Sequence, residues 1–247
     1  MTSDATQTEQ AASVIEELRD LITGARWVLF DFDGPLCRLF AGHRAHDVAD
    51  SLADRLERHG RPVPLTEEER AFGDPYTVLR AVARARPGSE LVRTLEEELT
   101  REELRAAATA RPTPYADPLV RTWSAVGGRL ALMTDSSPLV AEEYLTGRGL
   151  AGCFTPHIYG RTPGPDHPEP GPDRLGRALT AWGARPAETL RIGGTPSDLF
   201  AARETGVRFL GHARDERRTR RLLGAGAAVV VDDLEPVLRV VRATARV

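Results

Sequence analysis

The chain has 247 residues, of which 41% are hydrophobic and 28% charged, so it can bury a full core and has the composition of an ordinary globular enzyme. Its net charge of −3 and pI near 6.1 argue against nucleic acid or an anionic membrane surface as a partner. The N-terminus has no apolar signal core, and no apolar run approaches the roughly 20 residues of a membrane span. We therefore expect a cytoplasmic protein that acts on a small solute, with no prediction of its oligomeric state.

Residue usage excludes some chemistry. Cys37 and Cys153 are too few and too isolated for a disulfide framework or a zinc cluster. All 33 basic residues are arginine, and the chain contains neither lysine nor asparagine. Any cationic function in a site therefore falls to arginine.

The first predicted elements are a helix and a buried strand. Apolar residues at helical spacing predict a helix over Ser13 to Ile22, after a polar tail. Trp27 to Phe30 form an apolar run that ends abruptly in acidic residues and glycine, which is typical of a strand buried on both faces.

A helical insert follows this strand. From about His43 to Ala110 the pattern is helical, and it is broken at Gly60, Gly73 and Pro87. No strand pattern interrupts it. The proline-rich segment 111–114 is predicted to be the hinge by which the chain leaves the insert.

Strand-like runs then alternate with helical stretches. The predicted strands are Leu130 to Met133, Ile158 to Tyr159, Leu190 to Ile192, Phe209 to Leu210 and Val229 to Val231. This alternation predicts an α/β fold, a doubly wound parallel sheet. In such folds ligands bind beyond the carboxyl ends of the strands, where the strand order reverses.

Two carboxylates follow the first strand directly. Asp31 and Asp33 are one residue apart, and at strand spacing they share a face, where their repulsion is unfavourable unless a cation lies between them. Mg²⁺ prefers oxygen ligands and is the natural candidate. The alternative is a pair of acidic residues that cap a turn.

Polar residues also follow two later strands. Thr134 and Asp135 come after the strand that ends at Met133, and a hydroxyl beside free helix amides suits phosphate oxygens. The strand that ends at Ile192 is followed by two glycines and then by Asp198. Taken singly, each segment could be an ordinary helix cap or tight turn.

Together, DFDGPL, LALMTDSSP and IGGTPSD resemble the motifs of the haloacid dehalogenase (HAD) superfamily. The resemblance implies a Rossmannoid core over residues 1–40 and 113–247 with an inserted all-helical cap over 41–112. It implies that Asp31 is the nucleophile that forms an aspartyl-phosphate and Asp33 the general acid and base. Asp31 and the backbone carbonyl of Asp33 would bind Mg²⁺, and Thr134 would hold the phosphoryl group.

The chain departs from the family pattern at three positions. Glu169 stands where the family has a lysine, Gly194 replaces the aspartate that binds the metal, and Asp135 stands where asparagine is common. Only Asp198 then remains in the last motif as a metal ligand. So many carboxylates without a lysine would repel a phosphate dianion, which predicts weakened catalysis.

Three substitutes for the missing groups are open. Arg161 or Arg174 could supply the cation, Glu169 could replace the absent metal ligand, and His167 could assist. We assign Thr134, Asp135 and Arg161 to the substrate side of the site.

Two functions from different classes fit this pattern. The first is hydrolysis of a small phosphomonoester, favoured by Asp33, because an alkoxide leaving group needs a proton whereas a halide does not. The second is a catalytically inactive HAD-fold module that binds a metabolite or a protein.

Overall fold

The computed structural model describes residues 15–58, 65–161 and 172–244. A parallel sheet of six strands forms its centre, in the order β5-β4-β1-β6-β7-β8. A separate antiparallel pair joins β2 to β3. The strands are β1 (Trp27–Asp31), β2 (Cys37–Arg38), β3 (Arg111–Pro112), β4 (Arg129–Met133), β5 (Ile158–Tyr159), β6 (Thr189–Gly193), β7 (Arg208–His212) and β8 (Val230–Val231).

Twelve helices are described in these ranges, in addition to short 3₁₀ turns at Leu39–Ala41 and Pro186–Glu188. They are α1 (15–23), α2 (Ala45–Arg58), α3 (Glu67–Phe72), α4 (Pro75–Ala85), α5 (Glu90–Thr109), α6 (Ala116–Ala125), α7 (Pro138–Gly147), α8 (Ala151–Phe154), α9 (Pro172–Trp182), α10 (Pro196–Glu204), α11 (Glu216–Gly224) and α12 (Glu235–Thr244). Within the described ranges no helix is long and apolar enough to cross a membrane.

Alternate residues of the central strands enter two separate cores. Val28 and Phe30 of β1 pack on one face of the sheet, against α1, α6, α7 and α12. Leu29 packs on the other face, against α9 and α10. Since both faces are covered by helices, the strands are apolar along nearly their whole length, as predicted. The doubly wound α/β prediction is confirmed.

The strand order reverses at β1. The chain passes from β1 to β4 and the edge strand β5, and then crosses to β6 on the other side of β1. The carboxyl end of β1 is therefore the point at which ligands bind in folds of this kind.

Helices α2 to α5 lie between β2 and β3 and form a third apolar cluster of their own. α5 belongs to both parts of the molecule: Leu95 and Leu99 pack in the cap, and Ala106 packs in the core beneath the sheet. The expectation of an inserted helical cap is confirmed, while its boundaries at residues 41 and 112 remain a prediction.

Some elements differ from those predicted. The segment expected to be a hinge contains β3, a two-residue strand too short to produce a visible alternation. α6 and α12 have no counterpart among the predicted elements. α12 contains a short stretch rich in buried aliphatic residues, namely Val237, Leu238, Val240 and Val241. A short apolar stretch of this kind does not distinguish a helix from a strand.

Candidate active site

The two predicted catalytic carboxylates lie at the carboxyl end of β1, in the middle of the sheet. Asp31 is the last residue of the strand, opposite Met133 of β4, and Asp33 follows in the turn. Gly34 adopts φ +116°, a conformation that favours glycine, and its amide donates to the carbonyl of Cys37 at 2.7 Å. After this turn the chain passes through β2 into the cap helices.

Asp33 is an exposed residue whose carboxylate is held by the backbone. Its Oδ1 accepts a hydrogen bond from the backbone amide of Leu39 at 3.2 Å. Desolvation by the surrounding core and cap raises the pKa of Asp33, and the nearby Arg214 and Arg218 oppose this rise. A raised pKa favours the protonated form of the carboxyl, which is the form that a general acid needs.

Asp31 contacts a cation that sequence reasoning did not identify. Nη2 of Arg191 lies 2.9 Å from Asp31 Oδ1, and Nε of the same side chain lies 3.2 Å from that oxygen. Arg191 comes from the middle of β6 and is only 5% exposed. Burial raises the pKa of Asp31 well above its ordinary value, although Arg191 lowers it.

One signal could have revealed Arg191 in the sequence. A charged residue between Leu190 and Ile192 of a buried parallel strand must have a buried partner of opposite charge. The register pairs Arg191 with Leu29 on β1, so its side chain emerges on the same face as that of Asp31.

Asp198 is held in place from several directions. Its Oδ1 accepts from Arg191 at 2.6 Å, and its Oδ2 accepts from the amides of Gly194 at 3.1 Å and Thr195 at 2.8 Å. It also completes a capping box with Thr195 at the start of α10. Asp31, Asp198 and Arg191 therefore form one buried ionic cluster, with the guanidinium between two carboxylates.

The end of β4 brings further predicted residues to the same edge. Thr134 is buried, and its Oγ1 accepts from the amide of Ser136 at 3.0 Å. Asp135 is exposed and pairs with Arg174 of α9, which also donates to the carbonyl of Thr134. Arg174, one of the two predicted substitute cations, thus lies beside Thr134, the residue predicted to hold the phosphoryl group.

Arg161, the other predicted substitute, lies away from Asp31. It forms a buried ion pair with Glu103 at 2.7 Å and donates to the Thr100 hydroxyl at 3.0 Å. It also reaches the carbonyl of Asp135 at 3.2 Å. Its role in substrate binding stays a prediction, since these contacts already engage the side chain.

The charge balance therefore differs from the one expected. Arg191 and Arg174 place two guanidinium groups among the carboxylates, and Arg191 also acts electrostatically on Asp135. Glu169, which stands in the lysine position, lies outside the described residues. Within the described part of the chain, the site is more nearly neutral than the sequence indicated.

The predicted magnesium ligands do not match the donor set that this ion needs. Both hydrogen bonds from Arg191 to Asp31 end on Oδ1, both oxygens of Asp198 accept hydrogen bonds, and Gly194 offers no side-chain oxygen. In the described ranges no group of three or more His, Cys, Asp or Glu side chains could hold a metal ion. Mg²⁺ prefers six oxygen ligands in near-octahedral geometry.

The cap closes over this edge through Tyr76 of α4. The Tyr76 hydroxyl lies 2.7 Å from the Oγ of Ser136, in the loop after β4. Next to it, Glu103 accepts from the amide of Ser137 at 3.2 Å and from Arg161. We call Tyr76, Glu103, Ser136 and Arg161 the cap–core latch.

Known proteins with similar sequences are phosphatases. A phosphoglycolate phosphatase of Pseudomonas syringae pv. syringae is 28% identical over 223 residues, which covers 85% of this chain and 78% of the relative. A phosphoglycolate phosphatase of Rhodospirillum rubrum is 28% identical over 222 residues, covering 83% of this chain and 86% of the relative.

Solved structures share the fold at lower identity. A haloacid dehalogenase-like protein of unknown function from Agrobacterium tumefaciens has a TM-score of 0.57 at 22% identity, covering 90% of this chain and 99% of that one. A haloacid dehalogenase-like hydrolase from Streptococcus pneumoniae has a TM-score of 0.57 at 20% identity, covering 87% and 96%. The family model for haloacid dehalogenase-like hydrolases matches residues 25–206, and the chain belongs to that family.

Proposed function

We propose that this protein hydrolyses a small phosphomonoester through an aspartyl-phosphate on Asp31, with Asp33 as the general acid and base. The observation that carries the proposal is the position of both carboxylates at the carboxyl end of the central strand, beneath the cap and beside a buried guanidinium. The similarity to relatives named phosphoglycolate phosphatase supports phosphoester chemistry and a small substrate.

We assign a chemical role to each carboxylate from its contacts. Both hydrogen bonds from Arg191 end on Oδ1 of Asp31, and we assign Oδ2 to the attack on phosphorus. As the phosphorus–oxygen bond to the leaving group breaks, protonated Asp33 gives its proton to the departing alkoxide. Asp33 then takes a proton from a water, which attacks the aspartyl-phosphate and releases inorganic phosphate and free Asp31.

Positive charge on the phosphate side comes from Arg174 and Arg191. Arg174 reaches the end of β4, where Thr134 and its neighbouring amides lie. A bidentate guanidinium suits phosphate oxygens because its N–H groups are fixed in a planar fork. We assign Thr134, Asp135 and Arg174 to the binding and orientation of the phosphoryl group.

A second candidate function is a catalytically inactive module that binds a metabolite or a protein in the same cleft. Its supporting observation is the ionic cluster itself, because Asp31 is already neutralised by Arg191 and Gly194 supplies no carboxylate. A carboxylate whose charge is engaged by a guanidinium is a weaker nucleophile than an unpaired one.

Phosphate release from a panel of small phosphomonoesters, including 2-phosphoglycolate, separates the two candidates. Under the hydrolase proposal, Asp31→Asn lowers turnover by on the order of a thousandfold, because the nucleophile is lost. Asp33→Asn lowers it by about a hundredfold or more. Asp54→Asn, an exposed position on α2, is the matched control and should leave turnover unchanged.

The covalent intermediate gives an independent readout. Acid quench followed by mass spectrometry of the full chain should show phosphate attached to Asp31 in the wild type and in Asp33→Asn. If the wild type is inert on the whole panel and only a Glu169→Lys, Gly194→Asp variant turns over, the binding module is the correct function.

A further inference from the structure

The guanidinium of Arg191 lies between two carboxylates that the sequence predicts as metal ligands. Its Nη2 is 2.9 Å from Oδ1 of Asp31 and 2.6 Å from Oδ1 of Asp198, so one nitrogen atom joins two predicted metal ligands. We propose that the guanidinium of Arg191 replaces the divalent cation in this site and excludes Mg²⁺ from it.

The cation is permanent and fixed in position. Arginine does not lose its proton in proteins, so pH does not switch this charge off. Its backbone lies in β6 between β1 and β7, with Leu29 and Phe209 as register partners. The side chain is only 5% exposed, so it cannot move into solvent without opening the core on this face of the sheet.

Three of the four carboxylate oxygens of Asp31 and Asp198 are engaged. Oδ1 of Asp31 accepts two hydrogen bonds from Arg191, and Oδ2 of Asp198 accepts the amides of Gly194 and Thr195. A Mg²⁺ ion at this place would have to displace these donors and would meet the charge of the guanidinium at close range. The replacement of a metal-binding aspartate by Gly194 removes a further ligand.

Removal of the guanidinium should open the site to a divalent ion. Asp31 and Asp198 would then face each other with no cation between them, which is an arrangement that favours a divalent ion. Position 194 has room for the missing ligand: a Cβ built on Gly194 meets only the carbonyl oxygen of His212, at 3.4 Å, an ordinary contact.

The test measures binding of Mn²⁺ to the full chain by electron paramagnetic resonance, with Mg²⁺ as competitor. We expect no specific Mn²⁺ site in the wild type. In Arg191→Met combined with Gly194→Asp we expect a site that binds Mn²⁺ at least about tenfold more tightly than any residual, non-specific binding to the wild type. Arg161→Met is the matched control, because it also removes a buried arginine from an ion pair and should create no site.

Each outcome decides the proposal. A Mn²⁺ site in the wild type that is lost in a folded Asp31→Asn variant overturns it. A folded double variant without a site overturns it too, since the guanidinium is then not what excludes the ion. If Arg191→Met does not fold, Arg191→Gln, which keeps hydrogen-bond donors without the charge, replaces it in the same measurement.

Binding of Mn²⁺ and release of phosphate are measured independently of each other. Failure of the hydrolase proposal would appear as absent phosphate release, whereas failure of this inference would appear as bound Mn²⁺ in the wild type. Where the wild type does release phosphate, the rate should be the same in Mg²⁺ and in EDTA.

Discussion

A single arginine in a buried strand accounts for most of the unusual electrostatics of this molecule. Burying an isolated charge is very unfavourable, so Arg191 is tolerated only because Asp31 and Asp198 surround it with charge-assisted hydrogen bonds. The interaction is reciprocal, since Arg191 also lowers the pKa of Asp198 although burial opposes this change. The nucleophile position therefore has a structural partner built into the sheet.

His212, at the end of β7, should make stability depend on pH. It is 6% exposed, and burial lowers its pKa to about 4, helped by Arg214 and Arg218 and opposed by Asp233 and Asp232. The imidazole of His212 binds a proton more tightly in the unfolded chain than in the folded protein. The contribution of neutral His212 to the free energy of unfolding is therefore complete above about pH 6.5 and is lost as the pH falls towards 4.

The loss attributable to His212 is up to about 3 kcal/mol over that range. Urea unfolding of the wild type and of His212→Gln at pH 8, 6 and 4.5 measures it. The difference between the two proteins should change with pH in favour of the variant at acidic pH. A constant difference would mean that His212 is protonated in the folded state as readily as in the unfolded chain.

At the scale of elements, α5 joins the cap to the core through a buried ion pair. Glu103, in its last turns, is fully buried, and Arg161, just after β5, has an 8% exposed side chain. Breaking such a pair on one side leaves a buried charge without compensation, whereas removing both charges is far less costly.

Arg161→Met should therefore reduce the free energy of unfolding by about 3–5 kcal/mol. The double variant Arg161→Met, Glu103→Gln should recover most of this loss, because Gln still accepts from the amide of Ser137 but carries no charge. Chemical denaturation of the single and double variants measures the coupling.

The exposed pair Arg239 and Glu235 of α12 is the control for this cycle. Arg239→Met should cost less than about 1 kcal/mol, since solvent screens the pair. An equal cost at Arg161 and Arg239 would show that burial adds nothing at α5.

At the scale of the whole molecule, the cap–core latch determines how tightly the cleft is closed. The Tyr76 hydroxyl contacts Ser136 across the cleft, and the Arg161 guanidinium lies 6.0 Å from the centre of the Tyr76 ring. Under the proposed function, we expect opening of this contact to accompany entry of the substrate.

Tyr76→Phe keeps the ring and removes the hydrogen bond. We expect the closed cap to lose about 1 kcal/mol of stability relative to the open cap. Amide hydrogen exchange in residues 135–137 should therefore be about fivefold faster. Exchange in β6 should not change. Tyr144→Phe is the control, because the Tyr144 hydroxyl is buried without a hydrogen-bond partner among the described residues.

The amino-acid pattern alone determined the fold class of this protein. Each apolar run predicted as a strand from Trp27 to Val231 lies in the parallel sheet, because strands covered on both faces must be apolar. It also placed Asp31 and Asp33 at the carboxyl end of β1, since both residues directly follow the buried apolar run Trp27 to Phe30.

Only the tertiary structure decided which cation neutralises Asp31. Arg161, Arg174 and Arg191 are all arginines within thirty or so positions of one another, and their spacing does not say which of them faces Asp31. Strand register brings Arg191 to the face of β6 that Asp31 shares, while Glu103 holds Arg161 at the cap. Charge compensation depends on distances between elements far apart along the chain, and packing alone sets those distances.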